Sequence, residues 1–128
     1  MQISGPIRVL VADDSPTALR AVCSYLRSEA IFEIIGTAAD GLHLLREVQR
    51  LLPELVLVDL SMPGMSGLEA TIELRKLFPQ LPIIIFTELS GSSLKEECLS
   101  CGADGFVYKS ELSEKLLDEV RRIFPGRI

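Results

Sequence analysis

The chain has 128 residues, of which 48% are hydrophobic, 24% charged and 5% aromatic, with no Trp. That length and composition suit one globular domain with a full core, and exclude both a disordered chain and a disulfide-dependent miniprotein. The net charge of -5 disfavours a dedicated nucleic-acid binder, which needs a positive face to displace counterions from phosphates.

Location follows from what the runs lack. The N-terminus, Met1-Gln2-Ile3-Ser4-Gly5-Pro6, has neither the charged start nor the apolar stretch of a signal peptide. The longest purely aliphatic or aromatic runs, such as Leu55 to Val58 and Ile83 to Phe86, are four residues. A bilayer span needs roughly 20. We expect a soluble, cytoplasmic domain. An odd number of cysteines, three, at irregular spacing is no disulfide framework. Cys98 and Cys101 form a C-x-x-C, but with Leu94 they repeat at i, i+4, i+7 late in a helical stretch, which reads as a buried stripe. A zinc site would need two further ligands, and the sole His43 lies far off in sequence.

In chain order, the first apolar run is Ile7 to Ala12, followed by Ser15-Pro16, a cap hydroxyl before a proline at the first helical position. Leu19, Val22, Cys23 and Leu26 then keep helical spacing. The second run is Phe32 to Thr37 and the third Leu55 to Val58. Ser66-Gly67-Leu68-Glu69 is a capping box opening another helix. The fourth run is Ile83 to Phe86 and the fifth Gly105 to Tyr108. Ser110 is expected to cap the last helix, whose buried stripe is Leu112, Leu116, Val120, Ile123 and Phe124, with Pro125-Gly126 ending it.

The runs are short, β-branched or aromatic, and mostly uninterrupted, as in strands buried on both faces. Five strand–helix units predict an open, doubly wound parallel α/β sheet with helices on both faces, since parallel neighbours need a crossover. One domain is expected over residues 1–128, with a core from 7 to 124. Residues 125–128 are then a candidate linker stub, from a domain standing alone or from a chain cut before a further one.

The C-terminal ends of those strands carry the chemistry. Asp13 and Asp14 follow the first, Asp59 ends the third, Thr87 the fourth and Lys109 the fifth. The second ends blandly in Thr37-Ala38-Ala39-Asp40. In a parallel sheet these ends share one edge, where open α/β folds bind ligands. Singly, each residue could be a cap, a turn residue or a solvated charge. Together they converge on a site. Two carboxylates ~5 Å apart repel by about 3 kcal/mol at an effective dielectric of ~20. Three therefore need a cation or a raised pKa. All-oxygen donors point to Mg²⁺, with Mn²⁺ as a substitute. A doubly negative group with three acceptor oxygens would then be held by the metal, Lys109 and Thr87. That is phosphoryl transfer, with a carboxylate able to act as nucleophile.

V-A-D-D-S at 11–15, D-L-S-M-P-G-M-S-G-L-E-A at 59–70, F-T at 86–87 and A-D-G-F-V-Y-K at 103–109 resemble a response regulator receiver domain of two-component signalling. The likeness runs from Ile7 to Phe124 and is strongest to receivers that precede a helix-turn-helix DNA-binding output domain. It implies a flavodoxin-like sheet in the order 2-1-3-4-5. It implies that Asp59 accepts a phosphoryl group from the phosphohistidine of a sensor histidine kinase or a phosphotransfer protein. Asp14 would coordinate Mg²⁺ directly, Asp13 mainly through water, and the Ser61 carbonyl would add a ligand. Lys109 would pair with phosphoryl oxygens, Thr87 would swing towards them, and Phe106 would rotate inward as the aromatic switch. Met62-Pro63-Gly64 would shape the loop beneath. The surface from Ser90 to Phe124 would change on activation and is the expected homodimer face, through the fourth helix, fifth strand and fifth helix. Such self-directed chemistry is not an enzyme's, and any DNA contact would belong to residues outside this chain.

Three positions depart from the family pattern. Ser110 stands where many relatives carry a cis proline, Glu88 where a small residue is common, and Phe106 where Tyr is frequent. Glu88 is expected to alter autodephosphorylation. Competing readings fit less well. A haloacid dehalogenase-type hydrolase needs a second Asp where Ser61 stands, and a flavin carrier would not set Asp13-Asp14 against a phosphate. A scaffold of the same fold that only binds partners remains the third reading.

Overall fold

In the computed structural model, which describes residues 5–127, the five apolar runs become strands separated by helices. Residues 1–4, which include most of the expected leaderless start, and Ile128 lie outside the described residues. The order is β1 (Ile7–Ala12), α1 (Pro16–Ser28), β2 (Phe32–Ala38), α2 (Gly41–Leu51), β3 (Leu55–Asp59), α3 (Gly67–Leu77), β4 (Ile83–Thr87), α4 (Leu94–Ser100), β5 (Gly105–Tyr108) and α5 (Leu112–Ile123). All four strand pairings are parallel and the sheet runs β2-β1-β3-β4-β5. The expected fold and strand order are therefore what forms.

Alternation along the strands sorts the core into two layers. Leu10, Ala12, Val56, Val58, Ile83 and Ile85 face α2, α3 and α4, packing on Leu44, Val48, Ala70, Leu74 and Cys98. Val9, Val11, Leu55, Leu57, Ile84 and Phe86 face α1 and α5, packing on Val22, Leu26, Leu116 and Val120. β3 and β4 are buried at every residue, which is why their sequences show no polar alternation. Each such fully buried aliphatic side chain contributes about 1.5–3 kcal/mol of transfer free energy.

Local signals set the helix starts. Ser15 accepts from the Ala18 N–H ahead of Pro16, and Ser66 and Glu69 form the reciprocal capping box. Asp40 caps α2 by accepting from the His43 N–H at 2.8 Å, so the bland end of β2 is a helix start. Ser110 is a correction. Lys109–Glu111 makes a 3-10 turn, and α5 begins at Leu112 with Glu111 at the cap and no side-chain capping bond. The hydroxyl is one residue too early to reach the orphan amides. The cysteine stripe also holds only in part: Cys98 is fully buried, whereas Leu94 and Cys101 are half-buried and Cys101 lies past the end of α4. All three thiols are free, and burial, aided by Glu97 and Cys101, pushes Cys98 up to about 11.

Each outer strand departs from a plain edge in its own way. Between Val9 and Leu10 the register with β2 slips from Ile34 to Gly36, leaving Ile35 as an extra residue. On β5 the outward Phe106 N–H is taken by Glu119 of α5 at 3.1 Å. Long-range ties close the lower edge: Glu54 accepts from the Arg8 N–H and from Arg127, whose guanidinium also reaches the Gly5 and Pro6 carbonyls. Arg127, in the expected linker stub, is thus held against the domain body.

Gly67 is the close approach that sets the upper edge. Its N–H donates to Leu60 O at 2.8 Å, and a Cβ there would collide with the Asp59 carbonyl, which is backbone and cannot yield. Gly67→Ala is expected to cost about 1–3 kcal/mol through forced displacement of Asp59. Urea denaturation measures it. A loss under about 0.5 kcal/mol, the range of ordinary surface changes, would contradict the assignment.

Candidate functional site

Strand order reverses between β1 and β3, and the crevice opens above their C-terminal ends. Asp13 and Asp14 leave β1, Asp59 closes β3, Thr87 closes β4, and Lys109 follows β5 in the 3-10 turn. These five, with Ser15, Ser61, Glu88 and Leu89, line one cleft of ≈ 320 Å³. The predicted site residues other than Phe106 thus meet in one place, although Asp13 and Lys109 are 96 positions apart.

Their environments differ. Asp13 is buried and fully engaged: Oδ2 accepts from Lys109 Nζ at 2.8 Å and Oδ1 from the Ser15 N–H at 2.9 Å. Asp14 is exposed at the mouth. Asp59 is buried, with Lys109 Nζ at 3.5 Å and the Ser61 N–H at 3.5 Å from Oδ1. Burial first, and the Asp13 charge second, push the Asp59 carboxyl up to about 6, against the opposing pull of Lys109 and the Ser61 N–H. Burial alone would lower Lys109, but the Asp13 hydrogen bond and the charges of Asp59, Asp13 and Glu88 hold it above its ordinary value. The ammonium also lies 5.2 Å from the Phe86 ring centroid, which favours its charged form.

Thr87 is buried, and its hydroxyl oxygen accepts from the Leu89 N–H at 3.0 Å. Phe106 lies outside the cleft. It is buried in the layer under α4 and meets Tyr108 edge to face, with centroids 5.0 Å apart. The Lys109–Ser110 peptide bond is trans, as are all described bonds. Sequence reasoning took Ser15 only as a cap and passed over Leu89. Both enter the cleft through backbone amides, which no side-chain pattern announces.

Ligand atoms of Asp13, Asp14 and Asp59 all lie within 4.8 Å of one another. One ammonium against four carboxylates, Glu88 at the mouth included, leaves the cleft short of positive charge. With only hard oxygen donors, the residues fit a hard divalent cation and suit neither zinc nor copper.

The family model of the response regulator receiver domain matches residues 9–121. This chain belongs to that family. The receiver is 37% identical over 123 residues to the protein-glutamate methylesterase/protein-glutamine glutaminase of Clostridium acetobutylicum, covering 91% of this chain and 36% of that protein. It is 31% identical over 120 residues to the response regulator protein VraR of Staphylococcus epidermidis, covering 94% and 57%. The receiver therefore spans roughly a third to a little over half the length of these curated relatives. Among solved structures, it superposes with a TM-score of 0.88 and 29% identity on a LuxR family two-component response regulator from Aurantimonas sp., covering 95% of this chain and 87% of that one. Its TM-score is 0.86, again at 29% identity, with a chain of the CheX-CheY-BeF3-Mg+2 complex from Borrelia burgdorferi, covering 93% and 90%. It is a receiver domain of two-component response regulators, and no helix among the described residues is long and apolar enough to cross a membrane.

Proposed function

We propose that Asp59 is the phosphoacceptor of this receiver. The carrying observation is the burial of its carboxylate beside Asp13, with Lys109 Nζ reaching both, at the floor of the strand-end cleft. Asp59 Oδ attacks phosphorus, the P–N bond of a phosphohistidine breaks, and the imidazole leaves with the bonding pair. The donor is a sensor histidine kinase or a phosphotransfer protein. Asp13, Asp14, Asp59 and the Ser61 carbonyl hold Mg²⁺, with Mn²⁺ as a substitute. Held there, the cation would offset charge that Lys109 cannot neutralise alone. Lys109 steadies the phosphoryl oxygens and Thr87 donates its hydroxyl proton to one of them.

The relay then runs through Thr87 and Phe106 to the face between Ser90 and Phe124, which also serves self-association. Its output is a transcriptional domain on a longer chain or a separate partner. The likeness to VraR and to a LuxR family regulator supports the former. On this reading residues 1–128 form one cytoplasmic receiver with its core at 7–124. Its phosphoryl chemistry is self-directed, so it is not an enzyme in the usual sense.

Incubation with Mg²⁺ and acetyl phosphate is expected to add one phosphoryl group by mass spectrometry, and Asp59→Asn is expected to add none. No gain in the wild type would favour the scaffold reading. Glu88 stands exposed at the mouth of the cleft, where its charge acts on Lys109. Removing it in Glu88→Ala is expected to change the phosphoryl half-life by about threefold, equivalent to ~0.7 kcal/mol in the hydrolysis barrier. Equal half-lives would show that this carboxylate influences neither the phosphoryl group nor the attacking water.

A further inference from the structure

We propose that Gly41 is a positioning residue for the loop that carries the Ser61 carbonyl, acting from the β2–α2 corner at residues 38–41; this rests on the phosphoacceptor reading of the cleft. β2 lends no side chain to the cleft. Its end nonetheless touches two of the segments that do. Ala38 O accepts from the Asp13 N–H at 3.0 Å, which fixes the backbone from which the Asp13 carboxylate projects. Gly41 then opens α2, buried against Met65 in the loop between β3 and α3.

That contact leaves no room. A Cβ on Gly41 would stand 2.6 Å from Met65 Cβ, 2.7 Å from Met65 O and 2.8 Å from Met65 Cγ. None of these is the free end of a flexible side chain, so one added carbon must move backbone. The conformation of Gly41 does not itself call for glycine, since its φ lies outside the left-handed region. Glycine also makes a poorer helix former than alanine. The close approach to Met65 is what the missing side chain permits.

Of the two sides, the corner is the fixed one. Asp40 Oδ1 accepts from the His43 N–H at 2.8 Å, Asp40 O from the Leu44 N–H at 2.9 Å, and His43 Nδ1 from the Ala39 N–H at 3.3 Å. Leu44 and Val48 anchor α2 in the core. The loop is the side that yields. Its ends are joined by the Gly67 N–H to Leu60 O bond, but among the described residues no backbone–backbone bond holds residues 61–65. Buried Met62 is one hold on it, and Met65 against Gly41 is another. A loop displaced at Met65 carries the Ser61 carbonyl with it. Asp59 and Thr87 stay, because strand pairing opposite Phe86 and Tyr108 holds them. The fault therefore falls on metal binding and spares the reacting groups.

Titration of the whole 128-residue chain with Mn²⁺, read by electron paramagnetic resonance, tests this role. Gly41→Ala is expected to weaken Mn²⁺ binding about tenfold, the scale of a lost supporting contact at a metal site. Its rate of phosphorylation by acetyl phosphate at saturating Mg²⁺ is expected to stay within about twofold of wild type. On a Met65→Gly background, which lacks the Met65 Cβ and Cγ, the same change is expected to cost less than about threefold. Should Gly41→Ala fail to fold, Met65→Ile adds a second γ carbon at the contact and is expected to weaken Mn²⁺ binding in the same direction. Unchanged Mn²⁺ affinity in the folded variant, an equal loss on both backgrounds, or a rate still depressed at saturating Mg²⁺ would overturn the positioning role alone. A wild type that binds no Mn²⁺ or gains no phosphoryl group would overturn the reading of the cleft and this role with it.

Discussion

Replacing Lys109 with Met is expected to cost the metal-free domain about 3 kcal/mol at pH 7.5, because removing one partner strands a buried charge. The Asp13 side chain is 0% exposed, and Lys109 Nζ is the one cation bonded to it among the described residues. Its loss also leaves Asp13 and Asp59 to repel each other without a bridge. Methionine keeps the apolar bulk of the stem but removes the ammonium that lies over Phe86, so the effect is electrostatic. Without the ammonium the Asp59 carboxyl, which Lys109 otherwise pulls down, takes up a proton more readily in the folded state. The deficit should therefore shrink as pH falls below about 6. Urea titrations at pH 7.5 and 5 measure both parts. A deficit under about 0.5 kcal/mol would mean that water screens the pair as it does on an open surface. Asp13→Asn on the Lys109→Met background should recover most of the loss, and strictly additive losses would contradict a paired role.

Asp59→Asn is expected to act in the opposite direction, raising metal-free stability by about 2 kcal/mol at pH 7.5 at 1.36 kcal/mol per pKa unit, less screening. The Asp59 carboxyl stands at about 6 in the folded chain against an ordinary 3.8. A raised acid binds its proton more tightly folded than unfolded, so the wild type gains stability as pH falls from about 6 towards 3.8. Above about 6 that contribution is absent, and burial of the charge together with its repulsion from Asp13 outweighs the pull of Lys109. The advantage of the Asn variant should thus be full at pH 7.5 and vanish near pH 4. In a domain of this size it amounts to roughly 7 °C in the melting midpoint. Added Mg²⁺ should narrow the gap, since a ligand that binds the folded carboxylates stabilises the wild type by mass action. A variant no more stable than wild type in chelator would show that Lys109 already offsets the repulsion.

Opposite signs for two neighbours in one cleft say what kind of place it is. On these expectations the site is assembled at a cost that the rest of the fold carries.

Much of this was legible in the residues. Fully apolar strands announce a parallel sheet because both faces are covered, and a parallel sheet puts its strand ends on one edge. That logic placed Asp13, Asp14, Asp59, Thr87 and Lys109 together without a single contact being known. Helix caps with local partners, Ser15 and Ser66, were equally readable. What stayed hidden depends on distant parts of the chain. Nothing near Arg75 in sequence reveals that its guanidinium will gather carbonyls around Gly102, and nothing near Arg127 points to Glu54. Ser110 misled because a hydroxyl before an apolar stripe is a cap only if the next residue starts the helix. Here a 3-10 turn intervenes.

The two outer strands bear on how the receiver behaves when crowded. A five-stranded sheet ends in two rows of backbone groups, and two clean rows would let copies add to one another without limit. Here the inserted Ile35 breaks the spacing on one margin, and Glu119 occupies an amide on the other. Both features make the margins of the folded sheet poorer templates for strand addition. The helical faces, whose backbone groups are already paired within each helix, present no such open row.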